Sequence, residues 1–370
     1  MSTNRNIDSL TIKGFKSIRH LEKLKLNRLN VLIGANGAGK SNFVSFFRML
    51  GELVEQRLQV WVKKQGGADR ILTNGVKETS QLGINIEFEY CDYEVILEPT
   101  VADGFVFVKE VANLKKKKIG SVSKNFGAGH PESKLKLTFS TFELDSVAII
   151  CYCKMCNWKV YHFHDTSDTA GVKRLCSLHD NGYLRKDASN LAAYLYFLRH
   201  NHPDCYEHVI KIIRLAIPFF DDFVLKPQSL PSEEEQIRLL WKQKDSDYPL
   251  WPNQLSDGSI RFIGLATALL QPSPPSTIVI DEPELGLHPY AITLLGSLMR
   301  SNAERMQIIV STQSVPLLNE FSLEDIIVVE RDDNASTFRR LEEKEFEHWL
   351  EEYSIGELWE KNILGGRPGK

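Results

Sequence analysis

Residues 28–42 have the sequence RLNVLIGANGAGKSN, in which an apolar run leads directly into a glycine-rich loop. The loop matches the pattern G-x-x-x-x-G-K-[ST] in full. Apolar residues recur at helical spacing after it, which predicts a buried strand before the loop and a helix behind it. Such a loop curls its N–H groups around phosphate oxygens, while the lysine adds positive charge and the hydroxyl binds Mg²⁺. The predicted nucleotide-binding residues are Gly34, Asn36, Gly37, Ala38, Gly39, Lys40, Ser41 and Asn42.

Composition excludes several classes of protein. The chain has 370 residues, a net charge of −3 and 42% hydrophobic residues, which are ordinary values for a globular protein without an overall basic field. The polar N-terminus lacks the apolar core of a signal peptide, and no apolar run approaches the length of a membrane span. Six cysteines in such a chain suggest reduced thiols. We expect a cytoplasmic protein with no membrane partner.

The order of the predicted elements indicates an α/β protein in three parts. Residues 1–149 combine the phosphate loop with an antiparallel meander, in which period-two segments such as LGINIEFEY follow one another. Residues 150–235 are expected to form an inserted, mainly helical subdomain. Residues 236–370 return to short apolar strands separated by helices, which is typical of a parallel sheet.

Two acidic residues end the apolar run in TIVIDEPELGLHP, residues 277–289. Strand ends of a parallel sheet open onto the ligand crevice. Asp281 would support Mg²⁺ from behind its direct ligands, of which Ser41 is one. Glu282 would point the other way and orient or deprotonate the attacking water.

A second helix start lies in QLSDGSIR, residues 254–261. Its Ser-x-Gly turn precedes an apolar helix, and the free N–H groups at a helix start favour an anion. A capped helix without a ligand is the alternative.

Together these motifs resemble a known family. GANGAGKSN, LSDGSIR, IVIDEPELGLHP and VSTQSVPLL occur in the order seen in ABC-type ATPases, most like the RecF/SMC/OLD-like branch and its stand-alone bacterial AAA-type ATPases. The resemblance covers residues 1–150 and 236–370, and VYHFHDTSDTAGVKR extends it through the middle. It implies a P-loop NTPase of ABC-ATPase or SMC-head type, with a mixed sheet, an antiparallel β subdomain and a helical insertion. No heptad run predicts a coiled-coil arm.

The resemblance also implies how the site works. In this family two subunits pack head to head, so Ser256 and Gly258 would contact ATP bound to the partner, in a homodimer that forms on ATP binding. Gln313 occupies the switch position and cannot take a proton, which predicts slow turnover. Lys16 resembles the residue near the sugar and phosphates of the nucleotide. Gln81 is a candidate for the glutamine that binds the metal in relatives.

Two functional classes stay open. The chain would be an ATP-driven dimerisation switch that controls a DNA transaction or a partner nuclease, in repair or phage defence, with the effector encoded nearby. Alternatively, it would be a regulatory scaffold that assembles proteins without touching DNA. Only 40 residues follow Glu330, so we expect no nuclease domain of the OLD type in this chain.

Two further features have a structural and a functional interpretation. CYCKMCNWKVYHFH, residues 151–164, holds cysteines and histidines that either bind zinc or pack in the core. The strand-like run before Cys151 suggests that Cys151 and Cys153 share one face. Lys115–Lys118 either form a solvated hairpin tip or contact nucleic acid.

Overall fold

The computed structural model describes residues 6–116, 120–136, 146–229 and 234–366. Its strands are β1 (Ser9–Phe15), β2 (Ile18–Lys25), β3 (Leu29–Ile33), β4 (Leu82–Glu87), β5 (Cys91–Pro99), β6 (Phe105–Lys116), β7 (Gly120–Asn125), β8 (Trp158–Tyr161), β9 (Cys176–Ser177), β10 (Phe220–Val224), β11 (Gln228–Ser229), β12 (Glu235–Ile237), β13 (Leu240–Gln243), β14 (Thr277–Asp281), β15 (Gln307–Ser311), β16 (Ile326–Asp332) and β17 (Ala335–Arg340). Its α-helices are α1 (Lys40–Val54), α2 (Leu58–Lys64), α3 (Ala68–Ile71), α4 (Ser146–Met155), α5 (Leu191–Asn201), α6 (Pro203–Ala216), α7 (Asp257–Leu270), α8 (Pro289–Asn302), α9 (Val315–Leu318), α10 (Glu347–Leu350) and α11 (Ile355–Glu360).

The phosphate loop follows the central strand of a mostly parallel sheet. The strand order is β17-β16-β3-β15-β14-β8, and each neighbouring pair from β16 to β8 is parallel, whereas β17 returns antiparallel. Every residue of β3 is buried, as expected for a strand covered on both faces. Side chains alternate between the two faces, so Leu32 joins one hydrophobic core while Val31 and Ile33 join the other.

The second sheet is an antiparallel meander that covers one face of α1. Its order is β2-β1-β4-β5-β6-β7. Aromatic side chains on α1 fill the space between the two sheets: Phe46 meets Phe15 edge to face at 5.4 Å, and Phe47 packs against Trp158 at 5.8 Å. This packing holds α1, and with it the phosphate loop, in one orientation.

The other face of the parallel sheet is covered by helices α5 to α8. Their apolar side chains share one core with β3, β14 and β15. The division of the chain at residue 150 is corrected by β8, because Trp158–Tyr161 pairs with Thr277–Ile280 and is therefore an edge of the parallel sheet. The three-part division stays a proposal, with its insertion beginning after Tyr161.

Two local predictions need comment. The run before Cys156 is helix α4, and the last strand of the meander among the described residues is β7, which ends at Asn125. Cys151 and Cys153 do not share a face, because residues two apart on a helix diverge. Lys115 and Lys116 end β6 in its hairpin with β7, and Lys117 and Lys118 lie outside the described residues. No helix in the described ranges is both long enough and apolar enough to cross a membrane.

Candidate functional site: a phosphate loop facing two carboxylates and a glutamine

The phosphate loop is folded tightly around the Lys40 ammonium. Lys40 Nζ donates to the carbonyl oxygens of Gly34 at 2.6 Å and Ala35 at 3.1 Å. Helix α1 begins at Lys40, after Gly39 takes a φ of 119° that a residue with a side chain rarely adopts. Asn36 and Gly37 are exposed at the tip of the loop, where a Cβ on Gly37 would meet no atom within 4 Å. The cradle is therefore open on the side from which phosphates would enter.

Acidic side chains at the end of β14, on the same edge of the sheet, act on the same lysine. Burial lowers the pKa of Lys40, and the negative charges of Glu282, Asp281 and Glu284 oppose that shift. The loop and these carboxylates, more than two hundred residues apart in sequence, therefore lie close enough to interact electrostatically. Ser41 is exposed at the first turn of α1. A serine hydroxyl and a carboxylate are the hard oxygen ligands that Mg²⁺ prefers, so the residues present fit a nucleotide with its metal.

The hydroxyl groups of Ser17 and Ser336 contact the phosphate loop and the start of α1. Asn42 donates to Ser17 Oγ at 2.7 Å, and Ser17 Oγ lies 2.7 Å from Ser336 Oγ. Ser336 in turn donates to the carbonyl oxygen of buried Ala38 at 2.5 Å. The Asn42 side chain is thus bonded to Ser17, and Ser336 on the edge strand β17 contacts the backbone of the loop.

Asp281 contacts the last residue of β15, and Glu282 contacts the segment that follows it. Asp281 accepts from the Ser311 hydroxyl, and Glu282 Oε1 accepts from Gln313 Nε2 at 2.8 Å. The expectation that Glu282 points away from Asp281 was wrong. The strand alternation stops at Asp281, since Glu282 has a φ of 44° and turns back toward Gln313. Left-handed backbone at a non-glycine residue is a form of strain that concentrates at functional sites.

Glu284 is a site residue whose contacts the sequence did not predict. Its Oε1 accepts from the Thr312 hydroxyl at 2.6 Å and from the Gln313 N–H at 3.1 Å. Its Oε2 is buried without a hydrogen-bond partner among the described residues. Burial raises the pKa of this carboxyl. Glu284 therefore holds the backbone of Gln313, whose side chain contacts Glu282.

The QLSDGSIR turn caps α7 as predicted. Ser256 Oγ accepts from the Ser259 N–H at 3.1 Å, and both Ser256 and Asp257 are exposed. Lys173 Nζ lies 3.4 Å from Asp257, so a cation offsets the negative charge of this carboxylate. Gly258 is needed inside the subunit as well, because a Cβ there would collide with the Gly286 carbonyl oxygen.

Arg261, on α7, connects this helix to the segments that follow β8 and β14. Its Nε donates to the Phe163 carbonyl oxygen at 3.0 Å, and its other nitrogens reach the carbonyl oxygens of His164 and Leu285. The guanidinium thus holds the end of β8 and the loop after β14 in one place. Such a planar, multidentate role is one that lysine cannot fill.

Lys16 lies beside α1, one turn beyond the phosphate loop. Its Nζ donates to Ser45 Oγ at 2.7 Å and contacts Gln65 Oε1 at 3.4 Å. Burial, followed by Arg48, lowers the pKa of Lys16. The Gln81 side chain is exposed and donates to Glu98 at 2.7 Å, whereas Gln65 is the glutamine that contacts Lys16.

The histidines of the Cys/His cluster adjoin the site, whereas the cysteines do not join them. His164 Nε2 donates to the Asp281 carbonyl oxygen at 3.0 Å, and Arg48 donates to His162 Nδ1 at 3.2 Å. Cys151 is buried and donates to the Asp92 carbonyl oxygen. No group of three or more potential metal ligands occurs within the described ranges, which favours the packing interpretation over zinc.

Two family models match the sequence. The model described as "AAA ATPase domain" matches residues 6–171, and the model described as "AAA domain, putative AbiEii toxin, Type IV TA system" matches residues 154–319. No curated protein matches the chain in sequence.

Solved SMC heads have a similar fold. One is an SMC head bound to the C-winged helix domain of ScpA, with 15% identity, a TM-score of 0.58, and coverage of 92% of this chain and 99% of that chain. Another is the Smc head domain with an extended coiled coil bound to the C-terminal domain of ScpA from Pyrococcus furiosus, with 14% identity, a TM-score of 0.57, and coverage of 94% and 98%. The chain therefore has the fold of an SMC head, and two AAA-domain models each match slightly less than half of it. The described residues of this chain form no coiled-coil arm, as predicted.

Proposed function

We propose that the chain binds ATP with Mg²⁺ and hydrolyses it slowly, and that Glu282 acts on the attacking water. The contact between Gln313 Nε2 and Glu282 Oε1, at 2.8 Å, carries the proposal, because it holds a carboxylate in place beside the phosphate loop. Bound Mg²⁺ would neutralise charge on the transferred phosphoryl group. Ser41 and Asp281 would hold it, while Lys40 would leave its two carbonyl partners for the phosphates. A switch glutamine orients water but cannot accept its proton, which supports slow turnover.

A second copy of the chain would complete this site. Ser256 and Asp257 are exposed at the start of α7, a fourteen-residue helix whose N-terminus suits an anion. We propose that Ser256 and the N–H groups after it contact the terminal phosphate held by the partner's phosphate loop. ATP then acts as the ligand that joins two subunits, and hydrolysis separates them.

Such a cytoplasmic switch would control a DNA transaction or a nuclease encoded nearby, in DNA repair or phage defence. A scaffolding role is the second candidate, and exposed apolar side chains at the end of α6 favour it. Leu215 is 49% exposed and Phe219 is 50% exposed. Duplex DNA that raises the ATPase rate at low salt would support the first candidate. Loss of a captured protein on Leu215→Glu, with DNA inert, would support the second.

The dimer is tested with Glu282→Gln, which removes the base but keeps ATP binding. With ATP and Mg²⁺, light scattering should give twice the 42.2 kDa of one chain, and hydrolysis should slow by on the order of 10². Lys40→Ala is the matched control, because it should stay monomeric at the same ATP concentration. A Glu282→Gln protein that remains at 42.2 kDa with saturating ATP contradicts the proposal.

The role of Ser256 is separated from its capping role by two substitutions. Ser256→Ala loses the cap and should cost about 1 kcal/mol of stability, whereas Ser256→Asp keeps the cap and adds a negative charge. If the residue faces a partner's phosphate, Ser256→Asp should be the less active of the two while remaining the more stable. Normal turnover in Ser256→Asp would show that the cap alone matters. Gly258 is unsuited to this test because it also contacts Gly286 within its own subunit.

A further inference from the structure

A cleft of about 820 Å³ opens on the side of α1 away from the meander. It lies between α1, α2, the β8 edge and the loop that contains residues 183–187. Six of its lining residues carry the inference: Arg48, Trp61, Lys159, His162, Tyr183 and Lys186. The ATPase site described above uses none of them.

The cleft continues the phosphate site along one face of α1. Ser41, Ser45, Arg48, Glu52 and Glu55 follow one another at spacings of three and four residues, which places them in a single stripe on the helix. The stripe begins at the Mg²⁺ serine and ends in the cleft. Arg48 lies seven residues after Ser41, which corresponds to roughly 10 Å along the helix axis.

Two cations in the cleft form no ion pair within the part of the chain that the structure describes. Arg57 and Lys186 pair with Glu52, and Arg185 pairs with Asp180. By contrast, neither Arg48 nor Lys159 forms an ion pair with any residue that the structure describes. Burial, followed by the charge of Lys186, lowers the pKa of Lys159. A bound anion would relieve both the burial and the repulsion.

Aromatic rings lie beside these cations. Tyr183 is 57% exposed, and Lys159 Nζ lies 4.7 Å from the centre of its ring. Trp61 is half-buried on the opposite wall, formed by α2. An exposed ring next to unpaired cations is the arrangement with which proteins stack a nucleic-acid base and hold its phosphate.

A chain of contacts also connects the cleft to Asp281 at the end of β14. Arg48 donates to His162, whose ring centre lies 4.3 Å from that of His164, and His164 donates to the Asp281 carbonyl oxygen. Burial and Arg48 lower the pKa of His162 to about 4, so its ring is neutral and accepts from Arg48 at neutral pH. A ligand that attracts the guanidinium would remove this hydrogen bond.

We propose that the cleft binds a phosphate-bearing nucleotide unit, with Arg48 and Lys159 on the phosphate and Tyr183 against the base, and that occupancy reaches the ATPase site through His162. The unit belongs either to a free mononucleotide or to a single strand of nucleic acid. Binding in the cleft does not depend on the proposed ATP-driven dimer. Only its effect on hydrolysis does.

The binding test keeps the phosphate loop out of the measurement. Fluorescence anisotropy is recorded in the Lys40→Ala background with a labelled single-stranded DNA of about 12 nucleotides. The competitors are the unlabelled strand, AMP and a polyglutamate peptide. Competition by AMP at concentrations like those of the strand assigns the site to free nucleotides, whereas competition by the strand alone assigns it to nucleic acid. Stronger competition by polyglutamate, or no binding at low salt, overturns the proposal.

The variants keep net charge constant between test and control. Arg48→Gln with Lys159→Gln should weaken strand binding at least tenfold and reduce the dependence on salt by about two counterions. Lys211→Gln with Lys226→Gln removes the same charge at exposed positions elsewhere and should change affinity less than twofold. Tyr183→Ala, an exposed change that should not affect folding, should weaken binding without altering the salt dependence. Equal losses in test and control pairs would refute the site.

Coupling has its own readout in the chain with Lys40 intact. Saturating strand should change the rate of ATP hydrolysis at least threefold, and His162→Ala should abolish that change while keeping the affinity for the strand. A strand that binds but leaves hydrolysis unchanged refutes the connection through His162. If no ATPase activity exists at all, the anisotropy result still decides the cleft.

Discussion

Replacing Glu284 should disconnect Gln313 from Glu282, the residue proposed to act on the attacking water. Glu284→Ala removes the acceptor of two hydrogen bonds, from the Thr312 hydroxyl at 2.6 Å and from the Gln313 N–H at 3.1 Å. Thr312 Oγ1 also accepts from the Ser314 N–H at 2.9 Å, so the whole turn between β15 and α9 loses its anchor. Gln313 would then no longer be held against Glu282.

The size of the effect follows from those bonds. A buried donor that loses its acceptor costs about 1–3 kcal/mol, and a hydrogen bond to a charged group contributes about 1.5–3 kcal/mol. If the Gln313–Glu282 contact is lost in the transition state, the barrier rises by that second amount, or about 10- to 10²-fold in rate. The affinity for ATP should change less than threefold, because the phosphate loop is untouched.

Steady-state hydrolysis and equilibrium ATP binding are measured for four proteins: wild type, Glu284→Ala, Thr312→Val and the double variant. Thr312→Ser is the matched control, since it keeps the hydroxyl and should keep the rate. Because the two side chains are in contact, the double-mutant cycle should show a coupling of about 1–2 kcal/mol. Additive effects, with Glu284→Ala within twofold of the wild-type rate, would refute the reasoning.

Further predictions concern the rest of the site. Lys40→Ala should abolish productive ATP binding, because several kcal/mol of phosphate stabilisation are lost; calorimetric titration with ATP measures this, and a normal affinity would remove the phosphate-loop assignment. Purified protein should contain far less than one zinc per chain by elemental analysis, and stoichiometric zinc that disappears in Cys153→Ser with Cys156→Ser would reverse the packing interpretation. Arg261→Lys should keep the charge but lose most carbonyl contacts, lowering the unfolding midpoint in urea and slowing hydrolysis; an unchanged midpoint would contradict its joining role. Because the pKa of Glu284 is raised in the folded state, the native protein binds the proton of this carboxyl more tightly than the unfolded chain does. The free energy of unfolding should therefore fall as the pH rises from 4.5 through the folded-state pKa. Glu284→Gln should reduce that fall, as measured by denaturant unfolding at several pH values.

The motifs that are contiguous in sequence were predictable. The phosphate loop, the acidic strand end and the capped start of α7 each carry their own pattern of glycines, apolar runs and capping residues. Each motif requires those residue types for local reasons, so it can be recognised without knowing the tertiary structure. The parallel sheet and the SMC-head fold followed from the same segments and were confirmed.

What escaped prediction depends on contacts between distant segments. His164 meets Asp281 because β8 pairs with β14, a pairing that places residue 162 onward beside the strand end. The reversal of Glu282 depends on a left-handed turn for which the residue type gives no signal. Gln65 reaches Lys16 only because α2 folds back along α1, whereas Gln81 lies on an exposed strand end. Pairing partners and backbone reversals of this kind are decided by tertiary packing.

The central place of β3 has a consequence for how the protein is made. Both neighbours of this strand are synthesised far later: Val31 aligns with Val310 on one side and with Ile326 on the other. At roughly 5–20 residues per second, a ribosome needs about 15–60 s to cover that interval. During that time this mostly apolar strand has no partner on either edge, and an emerging chain exposes it as a surface on which other chains can aggregate. Nascent chains should therefore depend on holdase chaperones until β16 has emerged, and nucleotide capture should be among the last properties that the polypeptide acquires.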